Sequence, residues 1–77
     1  MTAKEMFEAL GYEYYDYRFT DEYYQRTSLE EDKWKSIEFL KPDKMIWLSE
    51  DYNFIEIDLK TLSAIYQRVK ELGWLEE

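Results

Sequence analysis

Ser36-Ile37-Glu38-Phe39-Leu40-Lys41-Pro42-Asp43-Lys44-Met45-Ile46-Trp47-Leu48-Ser49 is the stretch whose reading decides the fold. On either side of Lys41–Lys44 the apolar residues recur every second position, the period of a strand with one buried face. Pro42 presets its own φ, and Asp43 after it is a common turn former. Because Pro42 excludes a type I′ turn, the spacing predicts a four-residue loop built on a type I turn. Pairing Leu40 with Met45 then puts Phe39 opposite Ile46, Glu38 opposite Trp47, Ile37 opposite Leu48 and Ser36 opposite Ser49. A second turn at Glu50 to Asn53 would set Leu48 against Ile55 and Ile46 against Ile57. Both turns place Ile37/Leu48/Ile55 and Phe39/Ile46/Ile57 as cross-strand rows on one face. Trp34, Leu40, Met45, Trp47 and Phe54 are left for the other, with Trp47 central between Glu38 and Glu56.

Working outward, both ends read as helices. Thr2 and Glu5 form a capping box, and Ala3, Met6, Phe7 and Leu10 lie at helical spacing. Gly11 then supplies the left-handed residue of a helix stop, with Tyr12 packing back on Phe7. Near the other end Asp58 is the expected N-cap, with Ile57 stapled to Leu62. Leu62, Ile65, Val69 and Leu72 form the expected buried stripe, and Gly73-Trp74 repeats the stop. Between the first helix and Trp34, Tyr12 to Phe19 alternates and Tyr23 to Ser28 is strand-like. Leu29 to Lys33 reads as an exposed loop. Which of Tyr23 and Tyr24 points inward stays open, since a slip of one residue exchanges them. The expected fold is α+β: an N-terminal helix, an antiparallel meander of four to five strands and a C-terminal helix, both helices on one face of the sheet.

Composition bounds the function. The 77 residues fit a single domain, 1–77, and eight Tyr, four Phe and three Trp give a thin core much area per side chain. The sequence has no His and no Cys, which removes the commonest general base, thiolate chemistry and the usual zinc ligands. No apolar run is long enough for a membrane span, and the N-terminus lacks a leader's basic and apolar regions. These features point to the cytoplasm, with no membrane partner. A net charge of −8 disfavours direct nucleic-acid binding.

The acids cluster as Asp21-Glu22, Glu30-Glu31-Asp32, Glu50-Asp51 and Glu76-Glu77. They fall in expected turns or at a terminus, where solvent keeps carboxylates ordinary, so paired-carboxylate catalysis is not indicated. Ser49 to Asn53 alternates oxygen ligands but lacks the glycine and bidentate Glu of a calcium loop. Lys60, Arg68 and Lys70 read as solvent-facing charge on the closing helix. No catalytic, metal or cofactor site is expected.

The stretches Thr2-Ala3-Lys4-Glu5-Met6-Phe7-Glu8-Ala9-Leu10-Gly11-Tyr12 and Lys70-Glu71-Leu72-Gly73-Trp74 resemble a group of small phage and prophage proteins of Gram-positive bacteria. The likeness covers stretches at both ends only, and the strand region departs from the pattern. It implies phage origin and an accessory role, and carries no functional residues across. With net charge −8 and no catalytic groups, the expected activity is non-enzymatic inhibition of a bacterial target protein, for example a CRISPR nuclease. Carboxylates spaced like phosphates can occupy a basic nucleic-acid channel. The expected contact residues are Asp16, Asp21, Glu22, Glu30, Glu31 and Asp32, with Tyr14, Tyr23 and Tyr24 beside them, and Trp34 and Trp47. The alternative is a structural or regulatory phage subunit that forms a homodimer through an exposed aromatic sheet face.

Overall fold

A computed structural model describes residues 1–17, 21–28, 33–50 and 56–75. The order is α1 (Ala3–Ala9), β1 (Glu13–Tyr17), β2 (Asp21–Ser28), β3 (Lys33–Leu40), β4 (Met45–Glu50) and α2 (Leu59–Glu71). The four strands form one antiparallel sheet in the order β1-β2-β3-β4.

The central hairpin has the expected register: Ile37 opposite Leu48, Glu38 opposite Trp47, Phe39 opposite Ile46 and Leu40 opposite Met45. Lys44 N–H donates to Lys41 O at 3.4 Å, and Lys44 takes φ 54° to bring the chain back into β4. β2 continues the rows, with Tyr24 opposite Ile37 and Glu22 opposite Phe39, and β1 adds Tyr14 opposite Tyr24 and Asp16 opposite Glu22. Tyr24 is therefore the inward residue of its pair, with a relative exposure of 1%.

Both helices cover this face. Ala3 and Phe7 of α1 join Tyr12, Tyr24, Ile37, Phe39, Ala64 and Ile65 in the buried core. Phe7 stacks on Tyr24 with ring centroids 4.0 Å apart, and meets Tyr12 edge-on at 5.5 Å. The helix stops match as expected. Gly11 (φ 90°) and Gly73 (φ 73°) are left-handed. Tyr12 N–H donates to Phe7 O, and Trp74 N–H to Val69 O. Thr2 and Glu5 form the capping box, and the Asp58 carboxylate caps α2 through Thr61 N–H.

Three expectations are corrected. Residues 56–58 precede α2 without strand structure, so Ile57 does not pair with Ile46, although it packs on the core. The turn over 51–53 and the pairing of Ile55 lie outside the described residues, as does Phe54. β4 is an edge strand among those described, and Glu56, which lies outside any strand, does not pair with Trp47 as expected. The stripe expected on α2 holds at Ile65, Val69 and Leu72, which pack on the core, but not at Leu62, which is 52% exposed; Thr61 and Ala64 are buried instead. Arg68 points at the sheet rather than at solvent. No helix among the described residues is long and apolar enough to cross a membrane.

Candidate protein-binding surface

The sheet has one face under the helices and one without them. Strand alternation sends Trp34, Ser36, Glu38 and Leu40 of β3 and Met45, Trp47 and Ser49 of β4 to the uncovered face. β1 contributes Glu13 and Tyr15, and β2 Gln25. Trp47 is 56% exposed, Met45 51%, Tyr15 41% and Trp34 39%. Trp34 lies four residues from Glu38, the partner of Trp47, so the two indoles mark a patch on the order of 13 Å long. The charged side chains described on this face are Glu13 and Glu38; Tyr15 donates its hydroxyl proton to Glu13 at 2.7 Å. The patch is therefore aromatic and acidic.

The expected contact residues separate between the two faces. Trp34 and Trp47 are on the open one. Tyr14, Asp16, Glu22 and Tyr24 occupy inner-face rows, and of these only Asp16 is exposed. Glu22 and Tyr24 are corrections, since both are buried and neither is a surface contact. Asp21 and Tyr23 pair with Leu40 and Glu38 along the backbone; their side chains, like all of Glu30, Glu31 and Asp32, lie outside the described residues.

Glu22 is buried because the molecule builds a cation site for it. Arg68 Nη2 donates to Oε2 at 2.6 Å and Arg68 Nε donates to Oε1, a two-pronged pairing across the sheet–helix layer. Tyr14 OH donates to Oε2 at 3.0 Å, and Lys41 Nζ stands 3.6 Å away. Burial by itself would push the carboxyl up, but the hydrogen bonds and charge of Arg68, with Tyr14 and Lys41, hold it below the usual carboxylate range. Burial and the neighbouring Glu22 charge push the Tyr14 phenol up to about 12. Arg68 Nη1 continues to Glu71 at 3.2 Å, and Glu71 Oε2 accepts the Ala3 N–H at 2.8 Å. The chain of contacts thus joins β1, β2, the hairpin turn, α2 and α1. A buried carboxylate held by three hydrogen bonds and a nearby ammonium serves to tie these elements together. Among the described residues no group of three or more acids is placed to hold a metal ion.

No family model, curated protein or solved structure matches this chain.

The sequence reasoning missed the network and part of the patch. Arg68 sits at helical spacing from Thr61, Ala64, Ile65 and Leu72, and that periodicity was the available signal. Tyr15 alternates with Tyr14, so fixing Tyr24 inward would have placed it on the open face, in the same cross-strand row as Trp47 but with β2 and β3 between them. Nothing local marks Glu22, whose partner is 46 residues away.

Proposed function

We propose that this chain is a non-enzymatic binding protein, a phage counter-defence inhibitor acting inside a bacterial host. It docks through its open sheet face on a target surface that combines arginine or lysine with apolar side chains, such as the rim of a nucleic-acid channel. The supporting observation is Trp47: a large indole 56% exposed on a strand, opposite Glu38 and beside Met45. An aromatic side chain already fixed by sheet pairing loses little entropy on binding and makes a good anchor. Glu38 beside it favours cationic partners through an ion pair, and the indole face itself attracts arginine. Phosphate mimicry by an acidic row has less support, because Glu22 is neutralised inside the fold by Arg68.

The test compares the wild type with Trp47→Asp and Asp16→Asn in binding titrations and cleavage assays against purified CRISPR nucleases. The three proteins are first matched by circular dichroism. The reading expects wild-type binding that Trp47→Asp reduces at least tenfold, as loss of a hot spot does, and that Asp16→Asn preserves. Binding that ignores Trp47→Asp but weakens with Asp16→Asn would restore the mimicry reading and sink this one.

A further inference from the structure

The molecule carries a second apolar surface, on the opposite side of the fold from the open sheet. Leu59, Leu62 and Tyr66 follow each other at spacings of three and four, so they form one stripe of α2. They are 80%, 52% and 54% exposed, and point away from Thr61, Ala64 and Ile65, which are buried against the sheet side. A helix on a two-layer fold needs a single apolar stripe. α2 has two.

The charges on the two surfaces are opposite. From Leu59 to Lys70 the sequence contains Lys60, Arg68 and Lys70 and no acid. Arg68 turns inward to Glu22, while the Lys70 ammonium stands over the Tyr66 ring, 5.2 Å from its centroid. Asp58, just before the stripe, has its carboxylate on Thr61 N–H as the helix cap. Across the molecule, the open sheet sets Glu13 and Glu38 among Trp47, Met45, Tyr15 and Trp34.

We propose that copies of this chain associate head to tail, the outer stripe of α2 in one copy seating on the open sheet face of the next. Leu62 and Tyr66 cover Met45 and Trp47, and Lys70 approaches Glu38. A like-with-like contact is disfavoured on either side. Sheet against sheet opposes Glu13 and Glu38 to their own copies, and helix against helix leaves Lys70 without an acidic partner. Because the two surfaces lie on opposite sides of one molecule, the contact does not close in a pair. It produces a concentration-dependent series of species. Repulsion between molecules of net charge −8 opposes stacking at low ionic strength, so moderate salt, which screens it, favours growth. The proposal shares with the docking reading only the exposure of the sheet face. A copy and a target compete for it.

Sedimentation velocity from low micromolar to millimolar concentration tests the proposal, using wild type, Trp47→Asp and Leu62→Asp, each confirmed folded by circular dichroism. The wild type should form species beyond the dimer, and each variant alone should stay monomeric. An equimolar mixture of the two should give a heterodimer and nothing larger, because it contains one intact helix stripe and one intact sheet face. Charge exchange supplies a second route that leaves the apolar residues in place. Glu38→Lys and Lys70→Glu should each weaken association several-fold, and both together in one chain should restore it. A wild type that is monomeric at millimolar concentration overturns the proposal. So does association lost with Trp47→Asp but retained with Leu62→Asp, which would indicate a symmetric sheet-to-sheet dimer. Target binding separates this from the docking reading: Leu62→Asp leaves the sheet face intact, so it should abolish stacking while preserving target affinity.

Discussion

A glutamate without solvent exposure in so small a domain has its stability tied to one guanidinium. Removing Arg68 while leaving Glu22 charged strands a buried carboxylate, and Arg68→Ala should cost about 3–5 kcal/mol in urea unfolding at neutral pH. Replacing both ends with apolar residues, as Glu22→Leu with Arg68→Met, should cost far less, since no unpaired charge remains and burial penalties for two ions disappear. The same pair sets the acid response. Its folded carboxyl lies below the unfolded value, so its contribution is complete above the unfolded pKa and is lost as pH falls through the folded one. Glu71, also held low against its own burial by Ala3 N–H, Gln67 and Arg68, acts in the same direction. Thermal midpoints of the wild type should therefore drop below about pH 4, near the unfolded glutamate value, and the apolar double variant should show a flatter decline. An equally steep decline in the double variant would assign acid sensitivity to other carboxylates.

The elements divide into those whose signals were local and those whose signals were not. Caps, stops and the β3–β4 hairpin were legible because each is specified within a few residues: Thr2 with Glu5, Asp58, Gly11, Gly73 and Lys41–Lys44. The register of β1 and β2 was not, because Tyr14, Tyr15, Tyr23 and Tyr24 have similar side chains on both faces and the choice was made by Phe7 stacking on Tyr24 from another element. Two positions of α2, Leu62 and Arg68, were misread for a related reason, while Ile65, Val69 and Leu72 pack inward as expected. A charged Arg68 looks solvent-facing until its distant partner is known, and an apolar Leu62 looks buried until it is seen to be surplus. Left-handed positions give direct tests. Gly11→Val or Gly73→Val should cost on the order of 1–2 kcal/mol through the clash of a β-carbon at positive φ. Lys44 shares that conformation with a side chain present, so Lys44→Gly should raise the thermal midpoint, by up to about 1 kcal/mol of stability. Trp47→Ala should cost only ~1–2 kcal/mol, below the ~3–5 of emptying a buried aromatic site, because more than half of the indole is already solvated.

At the scale of the whole molecule, the meander joins neighbours in sequence to neighbours in space, and the helices then meet over the sheet. The bond from Ala3 N–H to Glu71 links residues 68 positions apart, whereas successive strands are separated by only three or four residues. That separation has a consequence in time. Closing a 68-residue loop costs about 1.5 kcal/mol more in chain entropy than closing one of a dozen residues. The hairpins can therefore nucleate before the terminal helices dock, and the clamp between α1 and α2 belongs to the descent after the barrier. A contact absent from the transition state governs escape from the native state rather than arrival at it. Glu71→Gln, which weakens the hold on Ala3 and Arg68, should thus raise the unfolding limb of a stopped-flow chevron and leave the refolding limb in place. A slowed refolding limb would instead mean that the two ends of the chain find each other first and that the sheet assembles between them.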